Sequence, residues 1–170
     1  MKSIVFINAL LLGALWVAPT VQADSTNAEQ RFEAIKALAG KWQGYKDDDK
    51  KDVINVEFKL LSGGSAVAEF LMTGTTMEML RVFNRDGDHV MLTHYCMVGN
   101  QSRMRAAEST DKKHFNFSFT DGTNLKSKDD MHVHNISMTI KNDKELIESF
   151  EMFDTGMKSM GAKFTLTRVK

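Results

Sequence analysis

The chain has 170 residues, with 22 lysines and arginines against 22 aspartates and glutamates, 42% hydrophobic residues, one cysteine, one proline and 12 methionines. Charge balance without a dense basic tract argues against nucleic-acid recognition, which needs clustered cations on phosphate. A single cysteine cannot build an internal disulfide framework, and 26% charged residues is too ordinary a share for a disordered chain, so one compact domain is expected.

The first 23 residues read as a secretory signal. Lys2 supplies the positive start, Ile4 to Val17 is apolar apart from Asn8 and Gly13, and Val21-Gln22-Ala23 approximates an A-x-A cleavage pattern. Cleavage near Ala23 leaves residues 24–170 as a single domain, periplasmic or secreted. The only cysteine is Cys96, so no lipid-modified cysteine follows the cut. No later apolar run reaches about 18 residues, so no membrane span is expected.

The domain opens with one helix, predicted over 28–39. Thr26 and Glu29 have the spacing of a capping box, and Phe32, Ile35, Leu38 and Ala39 recur at helical intervals, with Gly40 as the stop. From Lys41 the period falls to two, and turn residues recur through the rest of the chain. Ten strands are predicted, near 41–47, 53–61, 65–72, 76–84, 89–98, 102–109, 114–120, 131–141, 145–153 and 162–169. Gly63-Gly64 and Asp86-Gly87 mark two-residue hairpins. The fold class is therefore mainly β, an antiparallel up-and-down barrel with one N-terminal helix. Closure removes the edges that an open sheet of this width would expose, and a sandwich is the competing arrangement.

Leu38-Ala39-Gly40-Lys41-Trp42-Gln43-Gly44 leads a glycine and a tryptophan into the first strand after a short helix. This resembles the opening of calycin barrels, the lipocalin-like and fatty-acid-binding-protein-like group. The stretch from Met79 to Met104, with Asp86-Gly87-Asp88, Thr93-His94-Tyr95-Cys96 and Gly99-Asn100-Gln101-Ser102-Arg103-Met104, together with His132-Val133-His134, is similar to a family of exported bacterial lipocalin-like domains. The resemblance spans nearly all of residues 38–170. It implies a ten-stranded barrel with a central cavity and no established reaction.

Strand parity nominates the polar lining. Ile136, Met138 and Ile140 share the even phase with His132 and His134, and Val90, Leu92 and Val98 share it with His94 and Cys96, so all four donors are expected to face inward. With Gln101 and Arg103 they are the expected contacts of a small, partly apolar ligand. His94, Cys96, His132 and His134 are also donors of the kind that zinc and copper favour, and a histidine or Cys96 could hold haem, although no motif demands any of the three cofactors. A purely structural or partner-binding module is the remaining alternative. On one strand face His94 and Cys96 project in parallel, which suits co-ligands better than a catalytic dyad, and no phosphate loop, nucleophile elbow or zinc-protease motif occurs.

The methionines, among them Met77, Met79, Met157 and Met160, read as adaptable core and cavity lining before they read as a copper(I) site. Phe115, Phe117 and Phe119 alternate and form one apolar strand face. The charge run 46–52 reads as a solvated loop.

Overall fold

A computed structural model describes residues 26–47 and 49–170; the expected leader and its cleavage point lie outside the described residues. Thr26 is the N-cap of α1 (Asn27–Lys36), its hydroxyl accepting the Glu29 amide at 3.2 Å. The helix ends earlier than its apolar spacing suggests. Gly40, at φ +132°, does not cap it but opens the first strand in a conformation that costs a side chain dearly.

Ten strands follow: β1 (Gly40–Lys46), β2 (Asp49–Leu61), β3 (Ala66–Leu71), β4 (Met79–Asp86), β5 (His89–Tyr95), β6 (Gln101–Ala106), β7 (His114–Thr123), β8 (His132–Ile140), β9 (Glu145–Asp154) and β10 (Met157–Arg168). Each pairs antiparallel with its neighbours in sequence, and β1 pairs with β10 to close the barrel. The up-and-down architecture read from the period-two pattern is the one observed. No helix among the described residues is long and apolar enough to cross a membrane.

Two turns differ in detail from expectation. Asp86 pairs with His89, so the two-residue turn is Gly87-Asp88, one residue further along than Asp86-Gly87. Leu61 pairs with Ala66, leaving a four-residue turn around Gly63-Gly64. There Ser62, Gly63 and Gly64 all adopt positive φ, and the Ser65 amide and hydroxyl both donate to the Ser62 carbonyl.

One end of the barrel is sealed. Phe32, Ile35 and Leu38 are buried beneath α1, and the buried Arg31 guanidinium lies 4.6 Å from the Phe115 ring while donating to the Ala107 and His114 carbonyls. Beside them, Trp42 donates its indole N–H to the Leu38 carbonyl at 2.8 Å. Its cross-strand partner Arg168 covers the indole at 4.4 Å and donates to the carbonyls of Ala37, Ala39 and Asp143. This clasp joins the first strand, the last strand and the helix exit. Next to it Gly44 allows the close approach of β10, since a Cβ there would stand 1.9 Å from the Thr165 carbonyl oxygen.

Arg168→Ala removes a cation–π contact and three charge-assisted hydrogen bonds at the closing ladder. It is expected to cost about 2 kcal/mol in urea unfolding and to lower Tm by about 4–8 °C. Arg168→Lys should recover less than half of the loss, because an ammonium cannot reproduce the planar fork.

Candidate ligand-binding site

The opposite end of the barrel is open. There the lumen widens into a cavity of about 220 Å³ whose wall carries seven methionines: Met72, Met77, Met79, Met97, Met131, Met152 and Met160. They come from the loops and strand ends of that mouth, where side chains meet the cavity from several directions at once. Leu71, Val133, Phe150 and Phe164 complete the apolar wall. Met77, Met97, Met131 and Met160 remain exposed on their outer sides, so the apolar surface continues onto the rim.

The floor is polar. Glu69, Arg81, His94 and Ser102 occupy successive strands as direct cross-strand partners, which sets them in one row across β3, β4, β5 and β6. Glu148 of β9 reaches the same row from across the lumen. Arg81 Nη1 donates to Glu69 Oε1 and Oε2 at 3.2 and 3.1 Å and to Glu148 Oε2 at 2.9 Å. Glu69 and Glu148 are 0% exposed, and Arg81 and His94 2%. Arg81 and His94 also line the cavity.

Burial sets the charges of this row. It pushes the Glu69 carboxyl well above the usual carboxylate range, with Arg81 opposing and Glu148 adding to the rise, so Glu69 tends to hold a proton. Burial alone would lower the Arg81 guanidinium, but the two carboxylates outweigh it and hold its pKa above the ordinary value. The His94 imidazole is pushed down to about 3, by burial first and by Arg81 second, and is therefore neutral at physiological pH. Four buried polar atoms of the row lack a protein partner: Arg81 Nε, His94 Nδ1, Ser102 Oγ and Glu148 Oε1.

Of the nominated residues, His94 and Cys96 line the cavity, and Gln101, Arg103, His132 and His134 do not. On β6 the inward phase is Ser102, Met104 and Ala106, all buried. That turns Gln101 outward to Thr123 and Arg103 outward to an ion pair with Asp121. The even phase on β8 holds at Ile136, Met138 and Ile140 but is broken by a bulge between Val133 and Asn135. Below the bulge Val133 takes the inward position opposite Met152, and His132 pairs with Phe153 instead. One extra residue in the strand thus reverses the side on which the histidines emerge.

His132 is nonetheless buried, because the β7–β8 ladder stops at Ser118–Asn135 and aromatic rings fill the seam beyond it. Phe119 lies 4.2 Å from His132, and His134 stacks on Phe153 at 3.9 Å. His132 Nδ1 contacts the Asp130 carbonyl at 2.7 Å and Nε2 contacts His134 Nδ1 at 2.9 Å. A carbonyl only accepts, so Nδ1 of His132 donates there. Burial, then His132, lowers the His134 pKa, with Glu151 opposing. The structure therefore does not bring His94, Cys96, His132 and His134 together, and among the described residues no group of three or more histidine, cysteine or acidic side chains could hold a metal ion.

Glu69, Arg81, Ser102 and Glu148 were not nominated from the sequence. Their signal was present as charge in an apolar phase: Glu148 alternates with Leu146, Phe150 and Met152, and Arg81 shares its phase with Phe83. Broader depressions on the outer face, such as one between β7, β8 and β9 lined by Asn116, Ser118, Asn135 and Ser149, are open and polar-walled. Comparison with family models and with curated proteins gave no match.

The position of His94 predicts a pH dependence. Its folded value of about 3 lies below the usual 6.5, so the unfolded chain binds a proton that the native state refuses. This contribution to stability is complete above pH 6.5 and is lost as pH falls toward 3. The raised Glu69 value acts in the opposite sense, present below the usual carboxylate range and lost as pH rises through its folded value. His94→Gln should flatten urea-unfolding stability against pH between 6 and 4 by up to about 1.4 kcal/mol per pH unit relative to the parent.

Proposed function

We propose that this chain is an exported lipocalin-like barrel that binds a small, largely apolar molecule in its methionine-lined lumen, with His94 and Cys96 among the contacts. The observation that carries the reading is the cavity floor: an apolar pocket is bounded there by Arg81 and His94, each of which keeps a buried polar atom, Nε and Nδ1, without a protein partner. Each such atom left unpaired costs about 1–3 kcal/mol, which a guest supplying the missing hydrogen bonds returns. The volume suits a modest guest, since a cavity of about 150 Å³ takes up benzene. Thioether side chains adapt their rotamers to an irregular apolar surface, and this favours a lining built from methionine. Export to the periplasm or beyond rests on the leader-like first 23 residues.

Native mass spectrometry of protein purified from its own compartment tests the reading. An organic adduct released by denaturation is expected, and Met79→Trp, which fills the mouth, should abolish the adduct while leaving the far-ultraviolet circular dichroism of the barrel unchanged. A parent protein with no adduct that also takes up no small apolar molecule in titration would overturn it.

A second reading has its own support. Seven thioethers, the Cys96 sulfur and the unpartnered Nδ1 of His94 converge on one cavity, and such soft donors hold copper(I). Zinc has less in its favour because the two pairs of donors are separated, and a haem macrocycle, several times the size of benzene, needs a larger space. Elemental analysis of the same preparation separates the readings: stoichiometric copper favours the metal, and an organic adduct without copper favours the guest.

A further inference from the structure

Resting on the reading that the lumen holds a small apolar guest, we propose that this guest carries an uncharged hydrogen-bonding head, a hydroxyl, carbonyl or amide, and that the cavity floor rejects the carboxylate of the same skeleton. Among the described residues Arg81 is the one cation on that floor, and its Nη1 already donates to both Glu69 and Glu148 within 3.2 Å. Two acidic groups thus face one guanidinium. A guest carboxylate would be a third acid, and it would find no unmatched positive charge in the row to offset its lost hydration.

His94 supplies no second cation, because burial and the neighbouring Arg81 keep its ring neutral. Lys46, the other cationic residue of the wall, is only partly buried, where water competes for any pairing. What the floor does offer is unspent hydrogen-bonding capacity. Of the two residues that line the cavity there, Arg81 keeps Nε–H as a buried donor without a partner and His94 keeps Nδ1. A carbonyl oxygen satisfies the donor, and a hydroxyl can accept from Arg81 while donating to the imidazole. An ammonium head would likewise give up its hydration on entry, and at Arg81 Nε–H it meets a donor where it needs an acceptor.

A set of guests sharing an eight-carbon tail tests this on the full exported chain by titration calorimetry: 1-octanol, 2-octanone, octanoate and octylamine. At neutral pH the alcohol and ketone are expected to bind at least about tenfold more tightly than either ion. Lys46→Gln should leave that order unchanged. Replacing both acids, Glu69→Gln with Glu148→Gln, leaves Arg81 with its positive charge unmatched, so octanoate should gain about tenfold while octanol changes less than about threefold. If circular dichroism finds this double variant unfolded, the order measured on the parent decides the matter. Equal affinities for all four guests, or tighter binding of octanoate, would overturn the head-group inference while leaving the guest-binding reading intact. Absence of binding by all four, together with no native adduct, would remove the reading beneath it.

Discussion

Taking one guanidinium and two carboxyl groups out of water costs several kcal/mol per ion that remains charged. Arg81, Glu69 and Glu148 meet that cost through geometry that only a closed barrel provides. Glu69 and Arg81 are cross-strand neighbours, and Glu148 reaches them from β9 because closure turns the far wall to face the near one. The proton that Glu69 tends to keep lightens the net charge further. The interior is consequently divided into two environments, a charged and hydrogen-bonded layer across the middle and an apolar space above it. Removing Arg81, or both carboxyl groups, would leave buried charge unmatched, so the layer, the neutrality of His94 and the polarity of the floor stand together.

The two ends of the barrel show how the same fold assigns different tasks to similar materials. At the helical end, two arginines lie over aromatic rings and direct their guanidinium N–H groups to backbone carbonyls that would otherwise lack partners. Rigid rings and planar cations lock together there. At the other end, unbranched thioether chains replace rings, and a side chain with three free torsions can line a space without fixing its shape. Rigidity is concentrated where the first and last strands join, and adaptability where the lumen opens.

Much of this was legible in the sequence, and the exceptions have physical causes. The capping pair Thr26 and Glu29, the alternation along each strand and the glycine at Asp86-Gly87 are local signals, and the helix, the ten strands and the hairpin followed from them. The inward orientation of His94 and Cys96 was read from the same alternation. His132 and His134 were read to the wrong face because alternation assumes an unbroken pleat, and a bulge is set by pairing with a distant strand that no local pattern records. Gln101 and Arg103 failed for a related reason: the resemblance singled out the segment, but the phase of Ser102, Met104 and Ala106 governs which side each residue faces. The buried ion pairs escaped notice because Glu69 and Glu148 are 79 positions apart in the chain, and only the register of the sheet unites them with Arg81.

Because α1 and the Trp42–Arg168 clasp seal one end, the lumen is a dead end, and any molecule that leaves must retrace the path by which it arrived. A side chain at the rim that touches a guest only in passing raises or lowers the barrier in both directions by the same amount. For the guest proposed above, such residues, the exposed Met77, Met97 and Met160 among them, would govern how long it stays and how quickly an emptied lumen refills. The equilibrium constant is left to the atoms at the bottom of the well.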